Sequence, residues 1–254
     1  MKNQARLIIS NHRIKNLQLN KLKLSKQESH YLNKVMRLKK EENIFILNGE
    51  GYLWKGIKKG DNYIEIPEIN NPILFQEQKK LLLGIAIALP KKGFEDILKM
   101  CTEIGIDLIQ PLYSEYQVKK IQNEKIKMLR WNAIINEAVE QCERLWKPDL
   151  LSSYDIYKWI NSVKNKNMVS VSVTKNENCE ALQKWLKYQS FSNEKKSVLW
   201  NVIGPEGGWS EKELCFFEEN NMQFIKLSES ILRTSTAAVS ATTILSQWRD
   251  LLHK

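Results

Sequence analysis

The sequence predicts an α/β protein whose mostly parallel sheet is preceded by a small β-barrel module. Strand and helix patterns alternate from residue 73 to residue 254, which is typical of a sheet with helices on its faces. One strand, Leu81–Leu89, is continuously apolar, as expected inside a parallel sheet. Residues 1–72 instead carry short strands separated by Gly, Asn and Asp turns. We therefore expect two domains, 1–72 and 73–254, joined near Asn70-Asn71-Pro72.

The first domain is predicted to contain five strands and one main helix. Ser25 and Glu28 form a capping box, in which the hydroxyl and the carboxylate accept hydrogen bonds from amides of the first helical turn. The helix should run over Lys26–Leu38. Its predicted buried side chains are Tyr31, Leu32, Val35 and Met36. The predicted strands are Arg6–Ile9, Leu22–Leu24, Asn43–Leu47, Tyr52–Ile57 and Tyr63–Ile66.

The second domain carries its own start and stop signals for helices. Gly105 can end a helix that begins at Phe94, and Ser210 with Glu213 forms a second capping box. A long helix is predicted at Asn123–Leu145. The last helix should cover Ser235–Leu252, with an apolar side made of Val239, Thr243, Leu245 and Trp248. Strands beyond Leu81–Leu89 are predicted at Ile106–Ile109, Met168–Val173, Ser197–Ile203 and Gln223–Leu227.

The composition argues against several classes of protein. No apolar run approaches the ~20 residues of a membrane span, and the first residues lack the apolar core of a signal peptide, so we expect a cytoplasmic protein without membrane contact. Three histidines and four scattered cysteines offer no metal-ligand spacing. The net charge is +10, and residues 1–72 hold 14 Lys and Arg against 7 Asp and Glu. Such an excess is typical of nucleic-acid binding, although it equally suits a soluble lysine-rich surface.

Two loops follow predicted strands, at the edge where open α/β sheets bind ligands. The first, 203–210, contains three glycines, which allow the backbone to turn sharply and approach a ligand. The second, 227–237, offers backbone and hydroxyl groups ahead of a helix that starts with small residues. Neither loop has the glycine pattern of a dinucleotide site or a phosphate-binding loop. Taken singly, the glycine loop fits an ordinary turn as well as a ligand site.

The order and spacing of the two loops resemble the signature of a known family. Gly204-Pro205-Glu206-Gly207-Gly208 followed by Ile231-Leu232-Arg233-Thr234-Ser235-Thr236-Ala237 is similar to the ribosomal small subunit RNA methyltransferase E family, which belongs to the knotted SPOUT class. Residues 30–38, 89–91, 99–112 and 138–148 resemble other segments of this family, so the resemblance covers essentially the whole chain. The chain departs from its pattern in two places. Ser235 stands where the family usually has Glu, and Tyr116-Gln117 stands where it usually has Arg-Ser.

The resemblance implies a SPOUT-type trefoil-knotted domain behind a PUA-like RNA-binding barrel, assembled as a homodimer. It also implies S-adenosylmethionine as the cofactor and N3 of a uridine in 16S rRNA of the small ribosomal subunit as the methyl acceptor. The residues that match the family's cofactor site are Leu89, Gly204, Glu206, Gly207, Gly208, Leu227, Ile231, Leu232 and Thr236. The residues expected to position RNA are Arg6, His30, Arg37 and Lys91.

Methylation at N3 of uracil requires that the proton on this nitrogen leave, because the protonated nitrogen has no free electron pair. Arg144 and Arg233 could stabilise negative charge on the uracil oxygens or hold a phosphate. Glu140 is a candidate base, but a surface carboxylate near Arg144, four residues along a helix, is the more frequent role of such a residue. N3 lies on the pairing edge, so the target uridine must be unpaired or flipped out.

Three other functions remain to be weighed against this interpretation. A knotted methyltransferase that acts on ribose 2′-hydroxyls typically carries Asn-x-Gly-x-x-x-Arg early in its domain, and this motif is absent from the sequence. A ribosome-assembly factor that binds RNA without catalysis stays open because of the departures at Tyr116 and Ser235. A metal-dependent nuclease requires carboxylates clustered at strand ends, and the sequence shows no such cluster.

Overall fold

The computed structural model describes residues 5–116, 123–174, 179–191 and 196–252. Of the pair Tyr116-Gln117, which departs from the family pattern, Gln117 lies outside the described residues. The chain divides into two compact units, of which the first comprises Met1–Gln78 and Asn136–Lys147 and the second Lys79–Ile135 and Pro148–Lys254. Within the described part of the chain, no helix is long and apolar enough to cross a membrane.

A small sheet forms the first unit. Its described strands are β1 (Arg6–Ile8), β2 (Lys21–Lys23), β3 (Asn43–Leu47), β4 (Tyr52–Lys58), β5 (Tyr63–Glu65) and β6 (Leu74–Phe75). Strand order is β1-β3-β4-β5-β2, with β6 paired to β4. Strands β1 and β3 run parallel, whereas the other pairs are antiparallel. The five predicted strands are confirmed. Strand β6 was not predicted, and it lies beyond the predicted linker but pairs with β4 of this sheet.

Two short helices lie on this sheet's core, α1 (Asn11–Lys15) and α2 (Lys26–His30), and α2 continues as a π-helical segment at Tyr31–Val35. The capping box is confirmed: the Ser25 hydroxyl accepts from the Glu28 amide at 3.2 Å, and the Glu28 carboxylate accepts from the Ser25 amide at 2.7 Å.

One prediction about this helix is wrong. Leu32 is fully buried and Tyr31 and Met36 are half-buried, but the Val35 side chain is 61% exposed. The amide of Met36 bonds the carbonyl of Tyr31, five residues back, instead of four. A π turn holds more residues than an α turn and shifts the phase of the side chains that follow it, which carries Val35 out of the core.

The end of a long helix, α4 (Glu124–Cys142), also belongs to the first unit. Here the Glu140 carboxylate accepts a hydrogen bond from the amide of Ile8 in β1 at 2.8 Å. One residue beyond the helix end, Glu143 forms an ion pair with Arg6 at 2.6 Å. The end of a helix predicted for the second domain is therefore held against the first strand of the barrel.

A larger sheet forms the second unit, and all of its described strand pairs are parallel. Its strands are β7 (Leu81–Ala88), β8 (Leu108–Tyr113), β9 (Asp149–Leu150), β10 (Tyr154–Asp155), β11 (Met168–Ser172), β12 (Glu180–Ala181), β13 (Ser197–Ile203) and β14 (Gln223–Lys226). Strand order is β10-β8-β7-β13-β11-β14-β12, with β9 paired to β8. The predicted α/β fold with a mostly parallel sheet is confirmed.

Helices cover this sheet. They are α3 (Phe94–Ile104), the first part of α4, α5 (Ile156–Val163), α6 (Leu182–Leu186), α7 (Glu211–Glu219) and α8 (Thr234–Leu251). The predicted end of α3 at Gly105 is confirmed, since this residue has a φ of 120° that favours glycine. The capping box of Ser210 and Glu213 at the start of α7 is also confirmed. Helices α5 and α6 were not predicted. Helix α5 does carry a start signal, since the Asp155 carboxylate accepts from the amide of Lys158 at 3.1 Å, whereas Ala181 before α6 makes no side-chain capping bond.

The last helix, α8, packs against α3 and β7. Leu245 is buried as predicted, but the other members of the predicted apolar side, Val239, Thr243 and Trp248, are only half-buried. Ala238 and Ala241 are fully buried instead. Small side chains allow α8 to approach its neighbours closely, so its most buried face contains alanine where hydrophobicity alone favours larger residues.

Candidate functional site

A cavity opens in the second unit at the carboxyl ends of β11, β13 and β14. Its empty volume is about 570 Å³, a figure that includes space open to solvent. The lining residues are 172–174 at the end of β11, 203–205, 208 and 209 at the end of β13 and in the loop that follows it, and 227, 228, 230, 232, 234 and 237 after β14. Both loops that the sequence singled out therefore meet at one cavity.

The glycine loop after β13 is shaped by Gly204, Gly208 and Trp209. Gly208 has a φ of +75°, a backbone conformation that residues other than glycine rarely adopt. A Cβ at Gly204 would lie 3.1 Å from the Trp209 ring, so the indole packs directly on the loop backbone. The Trp209 indole N–H donates to the carbonyl of Ser172 at 3.0 Å. This bond ties the loop to the end of the neighbouring strand β11.

The second loop is joined to the first by Thr234, whose hydroxyl donates to the carbonyl of Gly204 at 3.2 Å. Thr234 is buried and begins α8, so the helix start is fixed to the glycine loop. Within the second loop, the Ser228 hydroxyl accepts a hydrogen bond from the amide of Ser230 at 3.1 Å. Side-chain hydroxyls thus hold in place a segment that has no strand partner of its own.

A buried polar network lies beneath the cavity, on β11 and β13. Asn201 is fully buried, and its amide donates to the Ser170 hydroxyl at 2.9 Å while its oxygen accepts from the Ser172 hydroxyl at 3.0 Å. Buried amides are costly unless they are paired, and here both ends of the Asn201 side chain have partners. The network fixes Ser172, the residue whose carbonyl holds Trp209.

The structure brings only some of the predicted cofactor residues to this cavity. Gly204, Gly208, Leu227 and Leu232 line it. The other five predicted residues, which are not among its lining, are Leu89, Glu206, Gly207, Ile231 and Thr236.

Those five residues have other surroundings in the second unit. Leu89 is buried, and its amide donates to the carbonyl of Leu112. The Glu206 carboxylate accepts from the amide of Lys91 at 3.0 Å. Gly207, Ile231 and Thr236 are exposed in the two loops.

Sequence reasoning missed the contribution of β11 and of Trp209. Residues 172–174 follow an ordinary strand without glycine or a motif, and their place at the cavity results from the pairing of β11 with β13 and β14. For Trp209 a signal was present, since an aromatic residue directly after paired glycines is a candidate for packing on the loop.

The three catalytic candidates fall into different units. Arg233 belongs to the second unit, is exposed, and stands at the start of α8 between the cavity-lining residues Leu232 and Thr234. Glu140 and the half-buried Arg144 belong to the first unit. Burial raises the pKa of Glu140 from 4.5 to about 7, and the nearby carboxylate of Glu137 adds to this, although the bond from the Ile8 amide lowers it.

The predicted RNA-contacting residues also differ in availability. His30 and Arg37 are exposed in the first unit, and Lys91 is exposed in the second. The Arg6 side chain is only 14% exposed, pairs with Glu143 and lies over the ring of Phe45 at 5.1 Å. Arg6 therefore already has partners inside its own unit. Among the described residues, no group of three or more His, Cys, Asp or Glu side chains is arranged to hold a metal ion.

Comparison with known proteins adds family information to this geometry. The family model described as an RNA methyltransferase domain matches residues 77–246, and the one described as an RNA methyltransferase PUA domain matches residues 24–57. The chain is 31% identical to ribosomal RNA small subunit methyltransferase E of Synechocystis sp., over 90% of this chain and 73% of the relative. It is also 31% identical to the protein of the same name from Buchnera aphidicola subsp. Schizaphis graminum, over 90% and 92%.

Solved structures share the fold. A ribosomal RNA small subunit methyltransferase E from Neisseria gonorrhoeae, bound to S-adenosylmethionine, superposes with a TM-score of 0.78 at 22% identity, covering 96% of this chain and 97% of that one. A Legionella pneumophila protein in complex with the same cofactor gives a TM-score of 0.81 at 23% identity, with the same coverage. Given the extent of these matches, the chain belongs to the ribosomal RNA small subunit methyltransferase E family.

Proposed function

We propose that the chain methylates N3 of a uridine in 16S rRNA of the small ribosomal subunit, with S-adenosylmethionine as the methyl donor. The observation that carries this proposal is the cavity where the two loops meet, in a chain whose family consists of ribosomal RNA small subunit methyltransferases. The Neisseria gonorrhoeae relative, which has the same fold, was solved with this cofactor bound.

The lining of the cavity suits an adenosyl cofactor. Backbone groups of Gly204 and Gly208 are accessible because these residues have no side chains, and such groups can pair with the edge of a purine. Leu227, Leu232 and Trp209 supply apolar surface for the flat faces of the base. Hydroxyl groups at positions 174, 228 and 230 can donate to the ribose and to the amino-acid part of the cofactor.

The chemistry places two demands on the protein's own residues. When bound, S-adenosylmethionine supplies a methyl group on a positively charged sulfur that departs as a neutral thioether. The residues of the two loops must hold donor and acceptor in line, since positioning provides most of the rate gain in such a displacement. They must also favour loss of the proton on N3. The electron pair that remains on N3 then forms the new bond to the methyl carbon.

Arg233 is the residue we assign to the second demand. Its guanidinium, exposed beside the cavity lining, can stabilise the negative charge that spreads onto the uracil oxygens, which lowers the pKa of the N3 proton and lets it pass to water. We assign Glu140 a positioning role instead, because its carboxylate already accepts the amide of Ile8. Arg144, in the same unit as Glu140, is assigned to RNA binding.

The first domain, 1–72, would bind the rRNA, and the second, 73–254, would perform the transfer. The match to an RNA methyltransferase PUA domain and the excess of 14 basic over 7 acidic residues in 1–72 support this division. Exposed His30 and Arg37 are available to RNA phosphates, as is Lys91 of the second domain. The role of Arg6 would be to hold Glu143 at the end of α4.

We further propose a homodimer. Ile126 and Leu129, one turn apart on α4, are 65% and 74% exposed, and Ile231 in the second loop is 68% exposed. Contiguous exposed apolar surface is typical of an interface, and Ile126 and Leu129 are neighbours on one face of α4. Light scattering during gel filtration should give about twice the chain mass of 29.8 kDa, and a mass of one chain would refute the dimer.

The function is tested with radiolabelled S-adenosylmethionine and small ribosomal subunits from cells that lack this gene. After digestion to nucleosides and chromatography, label should appear as 3-methyluridine. Arg233→Ala should lose most of this activity while it still binds the cofactor, and Lys184→Ala, which removes an exposed cation elsewhere in the second unit, serves as the control.

Each outcome of this assay has a defined meaning. Label in a ribose methyl group would refute the N3 assignment and leave the cofactor assignment standing. Cofactor binding without transfer to any subunit or free 16S rRNA would refute the substrate. Failure to bind S-adenosylmethionine would refute the enzyme and favour an RNA-binding assembly factor.

A further inference from the structure

Tyr116 is an exposed aromatic residue beside the glycine loop. It lies three residues after the end of β8, at the carboxyl edge of the parallel sheet, and its side chain is 54% exposed. A Cβ built at Gly207 would lie 3.4 Å from the Cβ of Tyr116 and 3.6 Å from its ring atom Cδ2. Gly204 and Gly208 of the same loop line the cavity. The ring is therefore packed against the loop that forms the proposed cofactor site.

The backbone on which this ring stands is held by a buried carboxylate. Glu213 is fully buried, and one of its oxygens accepts the amide of Glu115 at 2.9 Å while the other accepts the amide of Ser210 at 2.8 Å. Glu115 directly precedes Tyr116, and Ser210 ends the glycine loop. A single carboxylate therefore fixes the segment that carries the ring relative to the loop, through two charge-assisted hydrogen bonds.

The side chain of Glu115 is restrained as well. The Tyr157 hydroxyl donates to its carboxylate at 2.8 Å. Hydrogen bonds from Ser210 and Tyr157 lower the pKa of Glu115, so the carboxylate is charged at neutral pH. Tyr157 is in turn packed edge-on against Phe216, with ring centroids 4.9 Å apart. An exposed ring on so well anchored a segment is preorganised for contact with a ligand, because little motion remains to be lost on binding.

We propose that the ring of Tyr116 stacks on the uracil that accepts the methyl group. This inference rests on the proposed function, since N3 becomes accessible only when the base leaves its pair and its stack. The extruded base then exposes an apolar face that needs a new partner. An aromatic ring beside the cofactor loop supplies that partner without a specific hydrogen bond, as aromatic residues do for unpaired bases in many RNA complexes.

Substitutions at Tyr116 separate stacking from other roles. Tyr116→Ala and Tyr116→Leu should lower kcat/KM for the RNA by about 5- to 100-fold, the range that loss of one base–aromatic stack produces. Tyr116→Phe and Tyr116→Trp should keep kcat/KM within about 2-fold of the parent, because both retain a ring. The dissociation constant for S-adenosylmethionine should stay unchanged in all four. Tyr188→Ala, which removes a tyrosine that is 74% exposed elsewhere in the same unit, is the matched control.

Photochemical cross-linking gives a second readout that does not depend on turnover. The acceptor uridine, once located by the parent's methylation, is replaced by 4-thiouridine in the RNA and irradiated. A cross-linked peptide that contains Tyr116 supports the stack. A cross-link only to other residues overturns it, as does a Tyr116→Ala variant whose kcat/KM equals that of Tyr188→Ala.

Two further results have distinct meanings. If Tyr116→Ala lowers the mass in solution from that of a dimer to that of one chain, the inference is overturned, because Tyr116 would then contact a second copy of the chain. A parent protein that methylates no RNA would refute the proposed function itself. In that case a 4-thiouridine placed at successive positions of 16S rRNA still tests whether Tyr116 contacts a base, and absence of any cross-link to it overturns the inference too.

Discussion

Replacing Arg249 with methionine should strongly destabilise the second unit. The arginine is 3% exposed, and its guanidinium donates to the Asp107 carboxylate, to the carbonyl of Leu81 at 3.2 Å and to that of Gly105 at 3.1 Å. The same Asp107 oxygen accepts the amide of Leu83 at 2.9 Å. These bonds fasten the last turns of α8 to the first residues of β7 and to the end of α3.

The magnitude follows from the burial of the pair. Methionine fills much of the arginine's volume but removes the guanidinium that faces the Asp107 carboxylate, which is 14% exposed. Removing one partner of a buried pair costs about 3–5 kcal/mol, against a total stability of ~5–15 kcal/mol for a typical protein. The exposed pair of Lys79 and Asp250, with an N–O distance of 2.7 Å and side chains 35% and 59% exposed, is the matched control. Lys79→Met should cost only about 0–1 kcal/mol.

Urea unfolding followed by far-ultraviolet circular dichroism measures both variants against the parent. The double variant Asp107→Asn/Arg249→Met should recover part of the lost stability, because it also removes the buried negative charge that Arg249 balances. A free energy of unfolding for Arg249→Met within about 1 kcal/mol of that for Lys79→Met would refute the reasoning, since it would mean that burial adds nothing to this pair.

Three further predictions concern the sheet, the barrel and the cavity. Gly84→Ala should destabilise by ~1–3 kcal/mol, because the new Cβ would lie 2.3 Å from the Trp200 ring. Thermal unfolding measures this effect. A melting temperature equal to that of Gly60→Ala, a control at which a Cβ would meet nothing within 4 Å, would contradict it. Glu140 has its folded pKa raised from 4.5 to about 7, so its contribution to stability is fully present below pH 4.5 and is lost as pH rises through about 7. Glu140→Gln should remove this part of the pH dependence in urea titrations from pH 4 to pH 8, and identical pH profiles for parent and variant would show that the burial of Glu140 has been misjudged. Trp209→Phe loses the indole hydrogen bond to β11 and should weaken S-adenosylmethionine binding about 5-fold in calorimetry. The variant should also lose most of the change in tryptophan fluorescence that accompanies binding. An unchanged affinity would show that this hydrogen bond does not support the cavity.

Local signals were read correctly where all the interacting groups lie close together in the chain. The capping boxes at Ser25 and Ser210 each join residues three apart, so the sequence alone contains every group that the hydrogen bonds need. The same holds for the helix end at Gly105. The strand β7 is recognisable because a strand covered on both faces is apolar along its whole length.

Predictions failed where a distant segment decides the outcome. Val35 has the spacing of a buried helical residue, but the π turn that exposes it depends on how the helix meets its core. Strand β6 is two residues long and exists only because Tyr52 and Leu53 of β4 pair with it. The buried face of α8 is set by the close approach of α3, which hydrophobic periodicity does not encode.

The sequence by itself determined the two loops and their glycines, because the need for a sharp turn or a positive φ restricts the residue type at each such position. Only the tertiary structure decided what completes the cavity: the residues after β11, the Trp209 bond to Ser172, and the buried Asn201 beneath them. It also decided that Tyr116 meets Gly207, 91 positions along the chain. Parallel strands bring their carboxyl ends to one edge whatever their separation in sequence, so the neighbours of a loop at that edge follow from strand order and not from motif.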